Sequence, residues 1–377
     1  MKRFLWIWVL TALYIQGMAQ TSKTTATGKI VAVTKTTAAK TTTATKTATT
    51  KTTNNKTSKT PKTTPSKPTS GTITNQAKAA ANAAVAKTAA AVQTSCGYLC
   101  NPPLPYMPAK LDILFIGNSF SIDTSAALPL IFNSLGIRNV NVYVLYKGGC
   151  SMKQHYEYYK SGEAVYELYR YNIQGEQQLE KATSINDVMK RFSYDVVIFQ
   201  QYSLDSGDFS SYEPYLAKLI QAYNIVKLSS RTTFAFNETW AYASNNKSLG
   251  KYKTQIDMWK SICMSVKKMK STTGIDIVIP CGTALQNARN VESLNVDNEL
   301  TRDGLHINLY AGRYLLACTF FESIIAPCLT RNLRDDMSNY GQSTDIGAVT
   351  NANRTLLQNC ARLAVANNYE ISEFAGQ

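Results

Sequence analysis

The charge of this chain changes abruptly at Asp112, which is its first acidic residue. Fifteen of the 40 basic residues precede it, so residues 112–377 hold 25 basic against 25 acidic residues and are neutral. A segment with charge of one sign and few large apolar side chains repels itself and cannot offset the entropy of ordering. The folded part must therefore follow the basic segment. Its neutrality argues against a basic domain that grips a nucleic-acid backbone.

The first 19 residues have the features of a secretory signal. Two basic residues precede an apolar run over residues 4–14, and small residues follow at Gly17 and Ala19, where signal peptidase requires them. We expect cleavage after Ala19 and a secreted, periplasmic or cell-surface protein. The alternative is an uncleaved membrane anchor, but the run is short compared with a span of roughly 20 residues.

Residues 20–94 are rich in Thr, Lys and Ala and hold no acidic or aromatic residue. This composition predicts a disordered, basic linker that holds a following domain away from a surface. Electrostatic contact with an anionic envelope or polysaccharide is a second interpretation. The segment lacks the interleaved aromatic residues that are typical of single-strand nucleic-acid binders, so no nucleic-acid partner is expected.

All eight cysteines follow this linker. An even number in an exported chain permits disulfides, although the sequence does not reveal how they would pair. A zinc site is a poor alternative, because the chain has only two histidines. The pair Cys96-x-x-x-Cys100 also has no second pair of Cys or His ligands at the spacing of a zinc finger. No metal site is predicted.

Residues 95–377 are long enough to form one domain with a substantial core. Five short apolar runs, over residues 111–116, 140–146, 195–199, 232–236 and 275–280, alternate with longer amphipathic stretches. The stretches predicted as helical are 122–135, the tyrosine-rich segment that ends at residue 192, 212–228, 252–270, 308–325 and 348–366. Such alternation predicts an α/β fold of three layers, α/β/α, with a central five-stranded, mostly parallel sheet. Ligand sites in these sheets lie at the carboxyl ends of the strands.

A serine follows the first predicted strand in the run GNSFS, residues 117–121. A tight turn between a strand and a helix suits a nucleophile, because main-chain N–H groups at the helix N-terminus can hold an oxyanion. Ser119 could also act simply as a helix cap.

Only two histidines, His155 and His306, could serve such a serine as general base. His306 ends the run DGLH, and a spacing of three residues allows Asp303 to accept from one ring nitrogen while the other faces the serine. A histidine that caps a helix or packs in the core is the alternative for His306. His155 lacks a carboxylate at that spacing, although Glu157 is near.

Two other groups of residues allow competing interpretations. Cys150 with His155 could form a cysteine nucleophile, but a buried or disulfide-bonded cysteine is favoured beside a Gly-Gly turn. Six tyrosines cluster after the second predicted strand and could stack on sugar rings or pack against the domain, and their spacing favours packing. They are Tyr156, Tyr158, Tyr159, Tyr166, Tyr169 and Tyr171.

Four ordered blocks of the chain resemble those of the SGNH (GDSL-type) esterases and lipases. They are GNSFS at 117–121, Gly148-Gly149, QQYS at 200–203 and DGLH at 303–306, within a resemblance that spans about residues 111–325. The runs are also similar to those of a secreted branch seen mostly in gut-type Bacteroidetes. The third block is similar to the Gln-Gly-Glu run of sialate and xylan O-acetylesterases.

The resemblance implies an SGNH-like fold with Ser119 as nucleophile, His306 as general base and Asp303 as its orienting acid. Asn118 stands where the family usually has an aspartate in the first block, and this change should not remove the chemistry. No metal or organic cofactor is implied.

The resemblance also implies an oxyanion hole. Its donors would be the N–H groups of Ser119 and Gly149, with Gly148 as a less favoured choice, and the side-chain amide of Gln200 or Gln201. Many members have an asparagine where this chain has a glutamine, which leaves the amide donor open.

Asn237 and Trp240 follow the fourth predicted strand at the same edge of the sheet. We expect them to line the acyl or sugar pocket. The predicted function is a secreted serine esterase that removes small acyl groups, most simply acetyl, from carbohydrate. The alternatives are an O-acyltransferase with the same three residues and a catalytically silent carbohydrate-binding or envelope-binding module.

Overall fold

The computed structural model describes Leu104 and residues 108–273, 275, 277–295, 297–329 and 349–373. The predictions of a signal peptide over residues 1–19 and a linker over residues 20–94 lie outside these ranges. Within them, no helix has both the length and the apolar character needed to cross a membrane.

A seven-stranded sheet forms the centre of the described domain, in the order β4-β3-β2-β1-β5-β6-β7. All five predicted strands are present and pair in parallel from β2 to β7. The strands are β1 (Leu111–Gly117), β2 (Val140–Tyr146), β3 (Tyr166–Tyr171), β4 (Gln177–Thr183), β5 (Val196–Phe199), β6 (Thr233–Asn237) and β7 (Ile277–Ile279).

The prediction of five strands was wrong because β3 and β4 lie in the segment that was predicted to be mainly helical. They form an antiparallel extension next to β2. The helix in this segment ends at Gly162, whose φ of 69° suits a glycine C-cap. In β3, Tyr166 and Leu168 are buried and Glu167, between them, is partly exposed. This alternation is the two-residue period of a strand. The tyrosines obscured this period by recurring at helical spacing as well.

Helices connect the strands and cover the sheet. They are α1 (Ser119–Ser125), α2 (Leu128–Ser134), α3 (Met152–Ser161), α4 (Ile185–Met189), α5 (Tyr215–Val226), α6 (Gln255–Thr273), α7 (Cys281–Arg289), α8 (Ala311–Phe320) and α9 (Asn351–Ala366). Helix α8 continues through a π-helical stretch, Phe321–Ile325, and one more turn, Ala326–Leu329. It packs against α1, α7 and α9, while α3 packs against α5. Every residue of β1 is buried, so both faces of the sheet are covered and the predicted three layers are confirmed.

The predicted helix over residues 122–135 is two short helices. Pro129 lies in the first turn of α2, where its missing N–H costs no hydrogen bond. The interruption keeps α1 to seven residues directly after β1. The serine turn is therefore followed by a short, buried helix.

Glu238 follows β6 and is fully buried. Its Oε1 accepts from the N–H and the hydroxyl of Thr283 in the first turn of α7, both at 2.8 Å, while Oε2 has no partner among the described residues. Burial raises the pKa of Glu238 to about 7, although the bonds from Thr283 lower it. The folded protein therefore holds a proton on this carboxyl group at a pH where an exposed glutamate has lost it.

We expect Glu238→Gln to reduce the loss of stability as the pH rises. Because the pKa of Glu238 is higher in the folded state than in the unfolded state, its favourable contribution is present below the unfolded pKa and is lost as the pH passes through about 7. The neutral amide should exceed wild type by up to ~3 kcal/mol in the free energy of unfolding at pH 8 and match it at pH 4. Urea titrations at both pH values measure this, with the exposed Glu292→Gln as control. The same pH dependence in wild type and Glu238→Gln would contradict the expectation.

Candidate active site

Ser119 is the first residue of α1, directly after the β1 turn. Asn118 caps this helix, because its Oδ1 accepts from the N–H of Phe120 at 3.1 Å. The capping role considered for Ser119 therefore belongs to its neighbour, and the Ser119 hydroxyl is left for other contacts. Within the described residues, the Ser119 N–H donates no hydrogen bond.

The structure brings Ser119, His306 and Asp303 together in one chain of hydrogen bonds. His306 Nε2 lies 2.9 Å from Ser119 Oγ, and His306 Nδ1 lies 2.6 Å from Asp303 Oδ2. An ionised carboxylate can only accept, so Nδ1 carries the proton and Nε2 accepts from the serine hydroxyl. Ser119 and His306 are 187 residues apart in sequence.

The Asp303 carboxylate also shapes the loop that carries His306. Its Oδ1 accepts from the N–H groups of Leu305 at 2.9 Å and His306 at 2.6 Å. Partial burial raises the pKa of Asp303, but the bonds from the His306 ring and from these N–H groups outweigh it and hold the pKa below its usual value. Gly304 has a φ of 79°, which suits the tight turn between them. The loop thus presents an ionised acceptor to the imidazole.

Gly149 supplies a second N–H at this edge of the sheet. It follows β2 with a φ of 61°, and its N–H donates no hydrogen bond within the described residues. The next residue is tied to the serine turn, because Asn118 Nδ2 donates to the Cys150 carbonyl at 3.2 Å. The ends of β1 and β2 are therefore fixed to each other, and the N–H groups of Ser119 and Gly149 have no acceptor in the part of the chain that the structure describes.

The structure does not support Gln200 as an oxyanion donor. The side chain is fully buried, and its Nε2 donates to Asn118 Oδ1 at 2.8 Å and to the Gln201 carbonyl at 3.1 Å, so both amide hydrogens are engaged. Its Oε1 accepts from Ser121 Oγ at 2.6 Å. The longer glutamine arm lets the amide reach back to the helix cap. Gln200 thus links β5 to the start of α1.

Gln201 is also engaged on both sides of its amide. Its Nε2 donates to the carbonyl and the hydroxyl of Ser211 at 2.8 and 2.9 Å, and its Oε1 accepts from the N–H groups of Met152 and Tyr202. The predicted amide donor of the oxyanion hole is therefore not provided by either glutamine in this structure. The sequence could not show this, because the partners come from distant segments.

Asn237 and Trp240 do not line an open pocket, which corrects the prediction made for them. Both are fully buried. Asn237 Nδ2 donates to Thr124 Oγ1 at 3.0 Å inside the core. Trp240 stacks on Phe120 with ring centroids 3.9 Å apart, and its Nε1 donates to the Leu305 carbonyl at 2.9 Å. Trp240 therefore braces the His306 loop against α1 rather than contacting solvent.

We expect Trp240→Phe to lower kcat for ester hydrolysis by several-fold to about 10-fold with little change in KM. The aromatic stack on Phe120 can persist, but the hydrogen bond to the Leu305 carbonyl is lost and His306 is held less firmly. Steady-state kinetics with a small activated ester measure the effect. The control is Trp259→Phe in α6, because Trp259 is also buried and its Nε1 has no partner within the described residues. Equal losses in both variants would contradict a bracing role for Trp240.

Cys150 and His155 are not arranged as a nucleophile and its base. Burial raises the pKa of the Cys150 thiol to about 12 and lowers the pKa of the His155 imidazole to about 3, so both are neutral. His155 Nδ1 bonds to the Tyr166 hydroxyl at 2.9 Å.

The six cysteines in the described ranges are free thiols: Cys150, Cys263, Cys281, Cys318, Cys328 and Cys360. Of the tyrosine cluster, Tyr166 and Tyr171 are buried and the other members pack against the core, as the packing interpretation expects.

The fold and the site together define an α/β/α protein with a serine, a histidine and an aspartate joined at the carboxyl edge of a mostly parallel sheet. Residues 112–350 match the model of a domain of unknown function, DUF4886, and the chain belongs to that family. No curated protein matches it.

Three solved structures are similar to this chain. A DUF4886 family protein from Bacteroides uniformis is 28% identical, with a TM-score of 0.62, over 70% of this chain and 98% of that one. A proposed SGNH hydrolase from Slackia heliotrinireducens is 18% identical, with a TM-score of 0.40, over 57% and 98%. A proposed GDSL-like lipase from Parabacteroides merdae is 16% identical, with a TM-score of 0.39, over 58% and 98%.

Proposed function

We propose that this protein is a secreted serine esterase that removes small acyl groups, most simply acetyl, from carbohydrate. The observation that carries the proposal is the hydrogen-bond chain from Ser119 through His306 to Asp303. A nucleophile bonded to a base, which is in turn oriented by an acid, is the arrangement that acyl transfer requires. The signal-like pattern of residues 1–19 supports export.

The proposed reaction uses these groups in the following order. Ser119 Oγ attacks the ester carbonyl while His306 Nε2 takes its proton, and Asp303 stabilises the imidazolium that forms. The oxyanion accepts from the N–H groups of Ser119 and Gly149. His306 then gives the proton to the leaving sugar alcohol. Water, deprotonated by His306, attacks the acyl-enzyme, releases the carboxylic acid and restores the serine.

The carbohydrate part of the proposal is supported by aromatic side chains beside the Gly-Gly turn. A Cβ placed on Gly149 would lie 3.8 Å from the Tyr202 ring, and one on Gly148 would lie 3.2 Å from the Tyr146 hydroxyl. Both tyrosines are partly exposed. An aromatic ring with a polar hydroxyl suits a sugar, which presents apolar faces and hydroxyl edges.

The test is acetate release by the full chain from p-nitrophenyl acetate and from a panel of acetylated glycans. In parallel, a fluorophosphonate probe followed by peptide mapping should place its adduct on Ser119. Acetate release together with this adduct would support the proposal. Transfer of acetyl to an added glycan, in preference to water, would instead favour the acyltransferase. If the folded protein showed no turnover and no labelling, the result would contradict both the esterase and the acyltransferase and would favour a silent binding module.

A further inference from the structure

Two arginines pair with a buried carboxylate in α1, the helix that begins with Ser119. The Asp123 side chain in α1 is fully buried, and its carboxylate accepts from two arginines. Arg302 Nη1 lies 3.1 and 3.0 Å from the two carboxylate oxygens, while Nε and Nη2 of Arg313 lie 3.0 and 2.7 Å from Oδ1. Asp123 is four residues after Ser119 in the same helix, so the two side chains lie on one face of α1.

Arg302 connects this carboxylate to the loop that holds the imidazole. Its N–H donates to the His306 carbonyl at 2.9 Å, and its guanidinium donates to the Ile307 carbonyl as well as to Asp123. Arg302 directly precedes Asp303, and Ile307 directly follows His306. The main chain of Arg302 therefore closes the segment from Asp303 to His306, and its side chain joins that segment to the helix that carries the nucleophile.

Arg313 contacts the same carboxylate but not the loop. It lies in the first turn of α8, and within the described residues its guanidinium donates to Asp123 alone. Substituting one arginine at a time can therefore distinguish two roles of the Asp123 carboxylate. Arg313 joins α8 to α1, whereas Arg302 joins the His306 loop to α1.

Stability alone is a weak reason for such a cluster. Removing a carboxylate from water costs several kcal/mol, and buried ion pairs are often no more stabilising than apolar residues of the same volume. A charge-assisted, directional contact does, however, specify one geometry. In this case the specified geometry is the position of the His306 loop relative to α1.

We propose that Asp123 and Arg302 are positioning residues that set the distance between His306 Nε2 and Ser119 Oγ. The inference rests on the proposed esterase function, since it assigns these residues to the same reaction. Neither side chain contacts the reacting atoms. They act by keeping the imidazole within hydrogen-bond reach of the serine, because small misplacements of a catalytic group cost large factors in rate.

The experiment compares Arg302→Lys with its matched control, Arg313→Lys, in the full chain. The Nη1 atom of Arg302 contacts both Asp123 and the Ile307 carbonyl. A lysine keeps the charge beside Asp123, but its side chain is one bond shorter, so from position 302 its ammonium group cannot hold both acceptors at hydrogen-bond distance. We expect Arg302→Lys to lower kcat by about 10- to 100-fold with KM changed less than about twofold. Arg313→Lys should keep kcat within about twofold of wild type. The two lysine variants should have similarly lowered melting temperatures, because each loses hydrogen bonds to Asp123. Asp123→Asn should reproduce the kcat loss of Arg302→Lys.

A second readout does not depend on turnover. The chain has two histidines, so the ring-proton NMR signals of His306 can be assigned with a His155→Gln sample. The nitrogen NMR shift of His306 Nε2 responds to the hydrogen bond from Ser119. It should match wild type in Arg313→Lys and move toward the value of Ser119→Ala in Arg302→Lys.

The two readouts also separate failure of this proposal from failure of the esterase function. Equal kcat losses in the two lysine variants, or an unchanged His306 signal in Arg302→Lys, would overturn the positioning role. If wild type neither hydrolyses esters nor reacts with the fluorophosphonate, the esterase function fails, and the NMR comparison alone decides whether Arg302 positions His306.

Discussion

Ser119→Ala is expected to lower kcat for acetyl ester hydrolysis by at least about 10³-fold, with a melting temperature close to that of wild type. The hydroxyl is the proposed nucleophile, and the alanine variant cannot form an acyl-enzyme. Stability should change little because the helix cap is Asn118, and within the described residues the Ser119 hydroxyl bonds only to His306. Any residual rate would come from the oxyanion donors and substrate binding.

The measurement is steady-state kinetics with p-nitrophenyl acetate, together with mass spectrometry of the fluorophosphonate adduct. The control is Ser134→Ala in α2, whose hydroxyl bonds to the Ile131 carbonyl. It should retain kcat within about twofold of wild type and keep the adduct. A Ser119→Ala variant that retains wild-type turnover would exclude Ser119 chemistry.

His306→Gln is expected to lower kcat by about 10³-fold or more. Glutamine can hydrogen-bond to Ser119, but it cannot take up a proton near neutral pH, so both the attack and the departure of the alcohol lose their proton carrier. The reaction of the fluorophosphonate with Ser119 should slow by a similar factor, because the serine is no longer activated.

His155→Gln is the natural control, since the chain has only these two histidines. His155 is fully buried and bonds to Tyr166, so this variant should lower the melting temperature while the remaining folded protein keeps its kcat. If His155→Gln abolished turnover and His306→Gln did not, the proposed base would be wrong.

The sequence by itself was sufficient to predict the parallel part of the fold. The five apolar runs that became β1, β2, β5, β6 and β7 report burial on both faces, which is a local property of the residues. It was also sufficient to propose Ser119, Asp303 and His306 as one site. Asp303 and His306 share one tight loop, the serine follows a predicted strand, and only one other histidine could serve it as general base. The resemblance to the SGNH blocks implied that these three residues act together.

Only the tertiary structure decided which side chains face the reaction and which support it. Gln200 and Trp240 follow strands at the expected edge, yet Gln200 turns to Asn118 and Trp240 to Leu305. The antiparallel strands β3 and β4 also depended on context, because the tyrosines of β3 suit either period and β4 is polar and exposed along most of its length. The reason is physical. Periodicity and turn chemistry act over a few residues, whereas the direction of a buried polar side chain depends on partners far along the chain, such as Arg302, which lies 179 residues after Asp123.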